Sequence, residues 1–155
     1  MSQESIRIGI DLGGTKIEAA ALDASGAICA RRRVVTPRDD YAAIIRSMGA
    51  LVHDLELELN QRGSVGLCGP GSISKLTGLI RGSNTEVVNG KALPEDLSKI
   101  LQRPIKFEND ANCFALSEAI DGAGKDGNSI FGVILGTGVG GGMVIGGKIV
   151  SGCNH

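Results

Sequence analysis

The chain has little that would mark a secreted, membrane-bound or nucleic-acid-binding protein. Its four cysteines, Cys29, Cys68, Cys113 and Cys153, contain no C-x-x-C pair and follow no metal-site or disulfide-framework spacing. They read as reduced cytosolic thiols. No apolar run approaches the roughly 18 residues of a membrane span, and no basic-plus-apolar leader precedes the first strand. The expectation is a cytoplasmic protein without a membrane partner. Charge of one sign is also missing, because 16 Lys+Arg stand against 17 Asp+Glu for a net charge of -1. That balance gives no electrostatic reason to bind nucleic acid.

Glycine, by contrast, is abundant. The 24 glycines of this 155-residue chain cluster inside apolar segments, where backbone must turn sharply or approach a ligand closely. The length suits one domain, which buries roughly 70% of the surface of its unfolded chain.

Residues 6–12, IRIGIDL, read as a strand, followed by Gly13-Gly14 and a second strand, IEAAAL, at 17–22. A third strand is expected at 27–36, with Arg31, Arg32 and Arg33 forming a solvated edge. From Tyr41 to Leu59 the apolar residues recur at helical spacing, with Asp39 and Asp40 at the N-terminus and Gly63 just past the end. A buried strand at 64–68 then implies a crossover onto the same sheet. Residues 72–90 read as loop with a short extended piece, 94–101 as a helix opened by Pro94, and 104–107 as a strand. A helix at about 111–120, a strand at 129–135 and a hairpin at 143–150 turning on Gly146-Gly147 complete the pattern.

The segment Asp11-Leu-Gly-Gly-Thr-Lys16 carries the strongest chemical signal. Glycine N–H groups and a threonine hydroxyl can hold phosphate oxygens, and an aspartate ending an apolar strand can hold Mg²⁺ directly or through water. The alternative is an ordinary hairpin with a solvated lysine. Gly136-Thr137-Gly138-Val-Gly-Gly satisfies G-x-G-x-x-G, yet no helix follows, so a dinucleotide fold is disfavoured. A second phosphate-binding turn, or a tight sheet corner, is expected instead. FGVILGTG at 131–138 also echoes IGIDLGGT at 8–15, with Ile134 where the first copy has Asp11.

Asn109 and Asp110 stand at a strand-to-helix junction. Asp110 either caps the helix or, at the ligand edge of an open sheet, takes a proton from a bound hydroxyl. Glu108 and Glu118 read as surface charges. Gly71, Ser72, Ser83 and Asn84 offer close backbone approach and neutral hydrogen-bonding groups suited to a polyol, although turn chemistry accounts for them almost as well. His53 and His155 read as structural or incidental, and no metal is assigned to Cys153 and His155.

IGIDLGGTK, GPGSIS followed by TGLI, FENDANCFALSEA and LGTGVGGG, taken together and in order, resemble the ROK family of sugar kinases and repressors over Ile6 to Gly152. The resemblance implies an α/β fold, an actin-like (ribonuclease-H-like) lobe with a mixed sheet flanked by helices. It implies ATP with Mg²⁺ and a hexose as ligands. Asp11, Gly13, Gly14, Thr15 and Lys16 fall on the family's first phosphate loop, with Asp11 on the Mg²⁺ side, and Gly136, Thr137 and Gly138 on the second. Gly71, Ser72, Asn84, Asn109 and Asp110 line the sugar site, with Asp110 as the base. SISKLTGLI and SEAIDGA resemble most the fructokinase and mannokinase branch, with N-acetylglucosamine kinases close behind, so fructose or mannose phosphorylated at the 6-hydroxyl is expected.

Members of the family continue with a Glu/His sugar-binding motif, a structural zinc site and a second lobe. Residues 1–155 are therefore expected to be an N-terminal lobe, truncated and inactive alone, of a homodimeric protein. The alternative is the lobe of a sugar-sensing regulator without kinase activity. Regulators of the family carry a DNA-binding segment ahead of the phosphate loop, where this chain has five residues.

Overall fold

The computed structural model describes residues 6–135 and 139–152. The chain divides into two compact units, the first running to Phe107 and the second beginning at Glu108.

In the first unit, β1 (Arg7–Leu12) and β2 (Lys16–Leu22) form a tight antiparallel hairpin, and β3 (Ile28–Val35) adds antiparallel to β2. The helix α1 (Tyr41–Leu59) then crosses over to β4 (Ser64–Gly69), which pairs parallel to β1 as the crossover expectation required. With α2 (Leu93–Leu101) and β7 (Ile105–Asn109), the sheet order is β3-β2-β1-β4-β7. The two short strands β5 (Ser72–Ile73) and β6 (Ile80–Arg81) form a separate ribbon, followed by a 3-10 turn at Glu86–Val88. This is the mixed, helix-flanked sheet that the motif resemblance implies.

Period-2 alternation explains which face is covered. Ile8, Ile10 and Leu12 of β1 and Ile17, Ala19 and Ala21 of β2 are buried, and they join Ile44, Met48, Val52 and Leu55 of α1 in one core. Arg7, Gly9 and Asp11 alternate to the other, exposed side. Asp11 is thus an outward residue of a strand covered on one face, where the sequence reads as an aspartate ending an apolar strand.

Both ends of α1 are fixed by side-chain and backbone chemistry. Asp40 is its N-cap, accepting from Ala43 N–H at 2.9 Å. Its stop is Asn60, in the left-handed region at φ 47°, and not Gly63. Gly63 has another reason to be glycine, because a Cβ there would meet Ile6 at 2.8 Å. The arginines of β3 form the expected solvated edge, where Arg31 and Arg33 pair with Glu18 and Arg32 with Glu58.

In the second unit, α3 (Asp110–Ile120) packs on one face of a sheet ordered β10-β9-β8, made of β8 (Ser129–Leu135), β9 (Val139–Ile145) and β10 (Lys148–Ile149). Gly146 and Gly147, at φ 56° and 74°, make the expected two-glycine hairpin turn. The glycine run, however, is partly strand, since Gly140, Gly141 and Gly142 lie in β9. A Cβ on Gly142 would collide with the carbonyl oxygen of Ala111, and one on Gly132 would meet Ala115 Cβ at 3.0 Å. These glycines let α3 approach the sheet. On the opposite face Phe131, Val133, Leu135, Val139, Met143 and Ile145 are exposed.

Candidate functional site

The first candidate phosphate loop is the turn between β1 and β2. Gly13 N–H donates to Lys16 O at 3.0 Å, closing a turn so tight that a Cβ on Gly13 would meet that same oxygen at 2.9 Å. Two side chains missed by sequence reasoning brace it from the segment after β3. Buried Thr36 donates through Oγ1 to Gly13 O at 2.8 Å, and Arg38 Nε donates to Gly14 O at 2.5 Å. The sequence offers no periodic signal for either, because the contact spans more than twenty residues. Gly14, Thr15 and Lys16 are exposed, and a Cβ added to Gly14 would meet only Thr85 Oγ1, at 3.9 Å. The turn therefore presents open space at Gly14, a hydroxyl and a cation, groups suited to an oligophosphate.

Asp11 is exposed on the last turn of β1 and pairs in register with Glu18 on one side and Cys68 on the other. Like charges opposite one another cost stability unless neutralised, and Arg31 and Arg33 neutralise Glu18. Cys68 Sγ lies 3.5 Å from Asp11 Oδ1 as a thiol donor. An accessible carboxylate on the strand that ends at a phosphate loop fits Mg²⁺, which takes one or two carboxylates and completes its shell with phosphate oxygens and water. Among the described residues no cluster of three or more His, Cys, Asp or Glu could hold a metal by itself, so zinc has no ligand set there.

Because β1 and β4 run parallel, the loop after β4 emerges at the same edge as the phosphate turn. Gly71, at φ 88°, is in the region that favours glycine, and its missing Cβ would strike Arg81 O at 2.5 Å and Ser83 N at 2.9 Å. Gly71 thereby packs against the backbone of Arg81 and Ser83, and Ser72 pairs with Arg81. Asn84 follows Ser83 and is exposed, and Thr85 sits against Gly14. Within the first unit the structure thus gathers Asp11, Gly13, Gly14, Thr15, Lys16, Gly71, Ser72 and Asn84. Thr85 Oγ1 is, among the described residues, the one buried side-chain polar atom with no hydrogen-bond partner.

Asn109 and Asp110 open the second unit. The helix cap is Asn109 and not Asp110, because Asn109 has extended dihedrals and its Oδ1 accepts from Ala111 N–H at 3.0 Å and Asn112 N–H at 3.4 Å. Asp110 is the first helical residue, and its Oδ1 accepts from Ala111 N–H at 2.9 Å. Capping, which Asn109 supplies, does not account for the Asp110 carboxylate. Glu108 is no surface charge either. It is half-buried, accepting from Asn109 N–H at 2.8 Å and from Asn112 Nδ2 at 2.9 Å, so it orients the junction that carries Asn109 and Asp110. Glu118 similarly accepts from Ala123 N–H at 2.7 Å and fixes the turn after α3. Gly136, Thr137 and Gly138, expected to form a second phosphate-binding turn, lie outside the described residues, as do Cys153 and His155. His53 is exposed on α1. Cys29, Cys68 and Cys113 are in no disulfide among the described residues, and no described helix is long and apolar enough to cross a membrane.

Comparison with known proteins bears on these assignments. A sequence model of the ROK family matches residues 7–155. An N-acetyl-D-glucosamine kinase from Vibrio cholerae is 46% identical over 147 residues, which is 95% of this chain and 49% of that protein. A second N-acetyl-D-glucosamine kinase, from Yersinia pestis, is 42% identical over 95% of this chain and 57% of its own length. Among solved structures, a ROK family glucokinase from Streptomyces griseus in complex with glucose and AMPPNP superposes with TM-score 0.86 at 30% identity, covering 97% of this chain and 47% of that one. A ROK hexokinase from Thermus thermophilus gives TM-score 0.83 at 31% identity, over 96% and 50%. The chain spans about half the length of the relatives it matches.

Proposed function

The chain belongs to the ROK family, and from that premise we propose that the protein transfers the γ-phosphate of ATP to a hydroxyl of a hexose. The observation that carries this reading is the β1–β2 turn, where Gly14 leaves open space beside exposed Asp11, Thr15 and Lys16. Gly13, Gly14, Thr15 and Lys16 hold the ATP phosphates, assisted by the turn Gly136-Thr137-Gly138. Asp11 faces the metal. Magnesium, when bound, supplies neutralisation of the phosphate charge that phosphoryl transfer needs. Gly71, Ser72, Asn84 and Asn109 orient the sugar, and Asp110 takes the proton of the attacking hydroxyl. Its place in the first turn of α3, where its Oδ1 accepts from Ala111 N–H, directs the carboxylate, while Glu108 and the Asn109 cap hold the junction still.

The names of the curated relatives favour N-acetyl-D-glucosamine as the sugar over the fructose or mannose that SISKLTGLI and SEAIDGA suggest. The chain corresponds to the N-terminal half of such a kinase, with the remaining sugar contacts and the family's zinc ligands outside it.

The test is sugar-dependent ADP release from Mg-ATP with N-acetylglucosamine, glucose, fructose and mannose, comparing the protein with Asp110→Asn. The substitution is expected to lower kcat by about 10²-fold or more, the scale of a lost general base. Undiminished turnover would remove Asp110 from that role.

A further inference from the structure

Deepening the sugar-kinase reading, on which this inference rests, we propose that Asn89 is a positioning residue that sets the protein's affinity for its sugar without touching it. The loop between Ile80 and Lys91 is already closed at its base by backbone, since Ile80 N–H donates to Lys91 O at 2.9 Å and Gly90 N–H to Ile80 O at 2.8 Å. Those bonds fix the ends but not the tip. The Asn89 amide reaches across the loop to a single residue: its Oδ1 accepts from Ser83 N–H at 2.9 Å, and its Nδ2 donates to Ser83 O at 2.8 Å.

The two groups so held belong to the peptides on either side of Ser83, and the second of these peptides leads into Asn84. Clamping both fixes the backbone dihedrals of Ser83, and with them the direction in which exposed Asn84 leaves the loop. Ser83 is 7% exposed and Asn89 is exposed, so the amide covers the Ser83 backbone from the solvent side, and losing it exchanges two preorganised bonds for mobile water. The same Ser83 backbone is the wall against which side-chain-free Gly71 rests. Together with the β5–β6 pairing of Ser72 with Arg81, this amide holds the relation between the two segments assigned to sugar binding, Gly71-Ser72 and Asn84.

An amide is the group this arrangement needs, because it offers a planar acceptor and donor side by side. Aspartate has nearly the same shape but would set a carboxylate oxygen against Ser83 O. The phosphate turn is braced separately, by Thr36 and Arg38, so loosening the clamp should be felt by the sugar and not by ATP.

The experiment is steady-state kinetics of the full-length kinase carrying Asn89→Asp or Asn89→Ala, with N-acetylglucosamine and ATP varied in turn and thermal melts run alongside. The expected result is a rise of about tenfold or more in KM for the sugar, the scale of losing one or two net hydrogen bonds from a preorganised site. At saturating sugar, kcat and KM for ATP stay within about threefold of wild type. An unchanged sugar KM in a folded variant overturns the proposal, and so does a parallel change in the ATP and sugar constants, which would mark Asn89 as a general structural residue. If the wild-type protein itself phosphorylates none of the hexoses, it is the kinase reading that fails.

Discussion

Replacing Arg103 by methionine should destabilise the first unit far more than any surface charge would. Arg103 follows α2 and reaches back to α1, donating from Nη1 and Nη2 to the two carboxylate oxygens of Glu56 at 2.5 and 2.9 Å. It also donates to Gly63 O at 2.7 Å and to Leu101 O at 3.2 Å, while Glu56 Oε1 accepts from Gly63 N–H at 2.8 Å. The side chains of Arg103 and Glu56 are only 13% and 16% exposed. Removing one partner from a buried ion pair costs about 3–5 kcal/mol, and the Gly63 N–H that Glu56 keeps lowers the figure to about 2–4 kcal/mol here. Urea titration followed by circular dichroism would read that loss directly, and melting should drop by roughly 5–15 °C. Acid gives an independent check on the cause. Burial pushes the Glu56 carboxyl up, but its hydrogen bonds from Arg103 and Gly63 outweigh burial and hold it below its ordinary value. A depressed carboxylate contributes stability that is present above its unfolded pKa and is lost as pH falls through the folded one. The gap between wild type and Arg103→Met should therefore narrow in acid. A loss below about 0.5 kcal/mol at neutral pH, the worth of a surface pair, would refute the reasoning.

Two further substitutions test packing. Gly142→Ala should cost about 2–3 kcal/mol, because its methyl group would be driven into the Ala111 carbonyl beneath α3; an unaltered urea midpoint would show that the helix has room to retreat. Thr85→Val should leave stability unchanged or raise it by up to about 1 kcal/mol, since it removes a buried hydroxyl without a partner and keeps the shape. A drop of more than about 1 kcal/mol would mean that the hydroxyl is bonded in solution.

Most of the architecture was legible because it depends on local patterns. The period-3.6 run from Tyr41 to Leu59 and the Pro94 helix start appear where they were expected. The two-glycine turn at Gly146-Gly147 does as well. What was not legible depends on partners distant in sequence. Thr36 and Arg38 sit after a strand as an unremarkable polar pair, and only the pairing of β3 with β2 brings them to the phosphate turn. Asn89 looked like one more polar residue in a loop, and its role exists only because the chain returns on itself at Ile80 and Lys91.

The glycines show why the candidate site was harder to delimit than the fold. In sequence they form similar clusters, yet three different neighbours explain them. At Gly13 the neighbour is the turn's own carbonyl, at Gly71 the Ser83 backbone, and at Gly132 and Gly142 the underside of α3. A glycine states that something comes close without saying whether it is a ligand or another part of the chain. The charged residues resolve that ambiguity. Beside Gly13 and Gly14 stand exposed Asp11 and Lys16, which core packing does not require, whereas Gly132 faces Ala115 and Phe114 and Gly142 faces the backbone of Ala111 and Asn112, all on α3. A ligand-facing glycine cluster is thus the one whose polar neighbours are left at the surface, and that criterion supports assigning the proposed phosphate contact to the β1–β2 turn rather than to the strand glycines of β9.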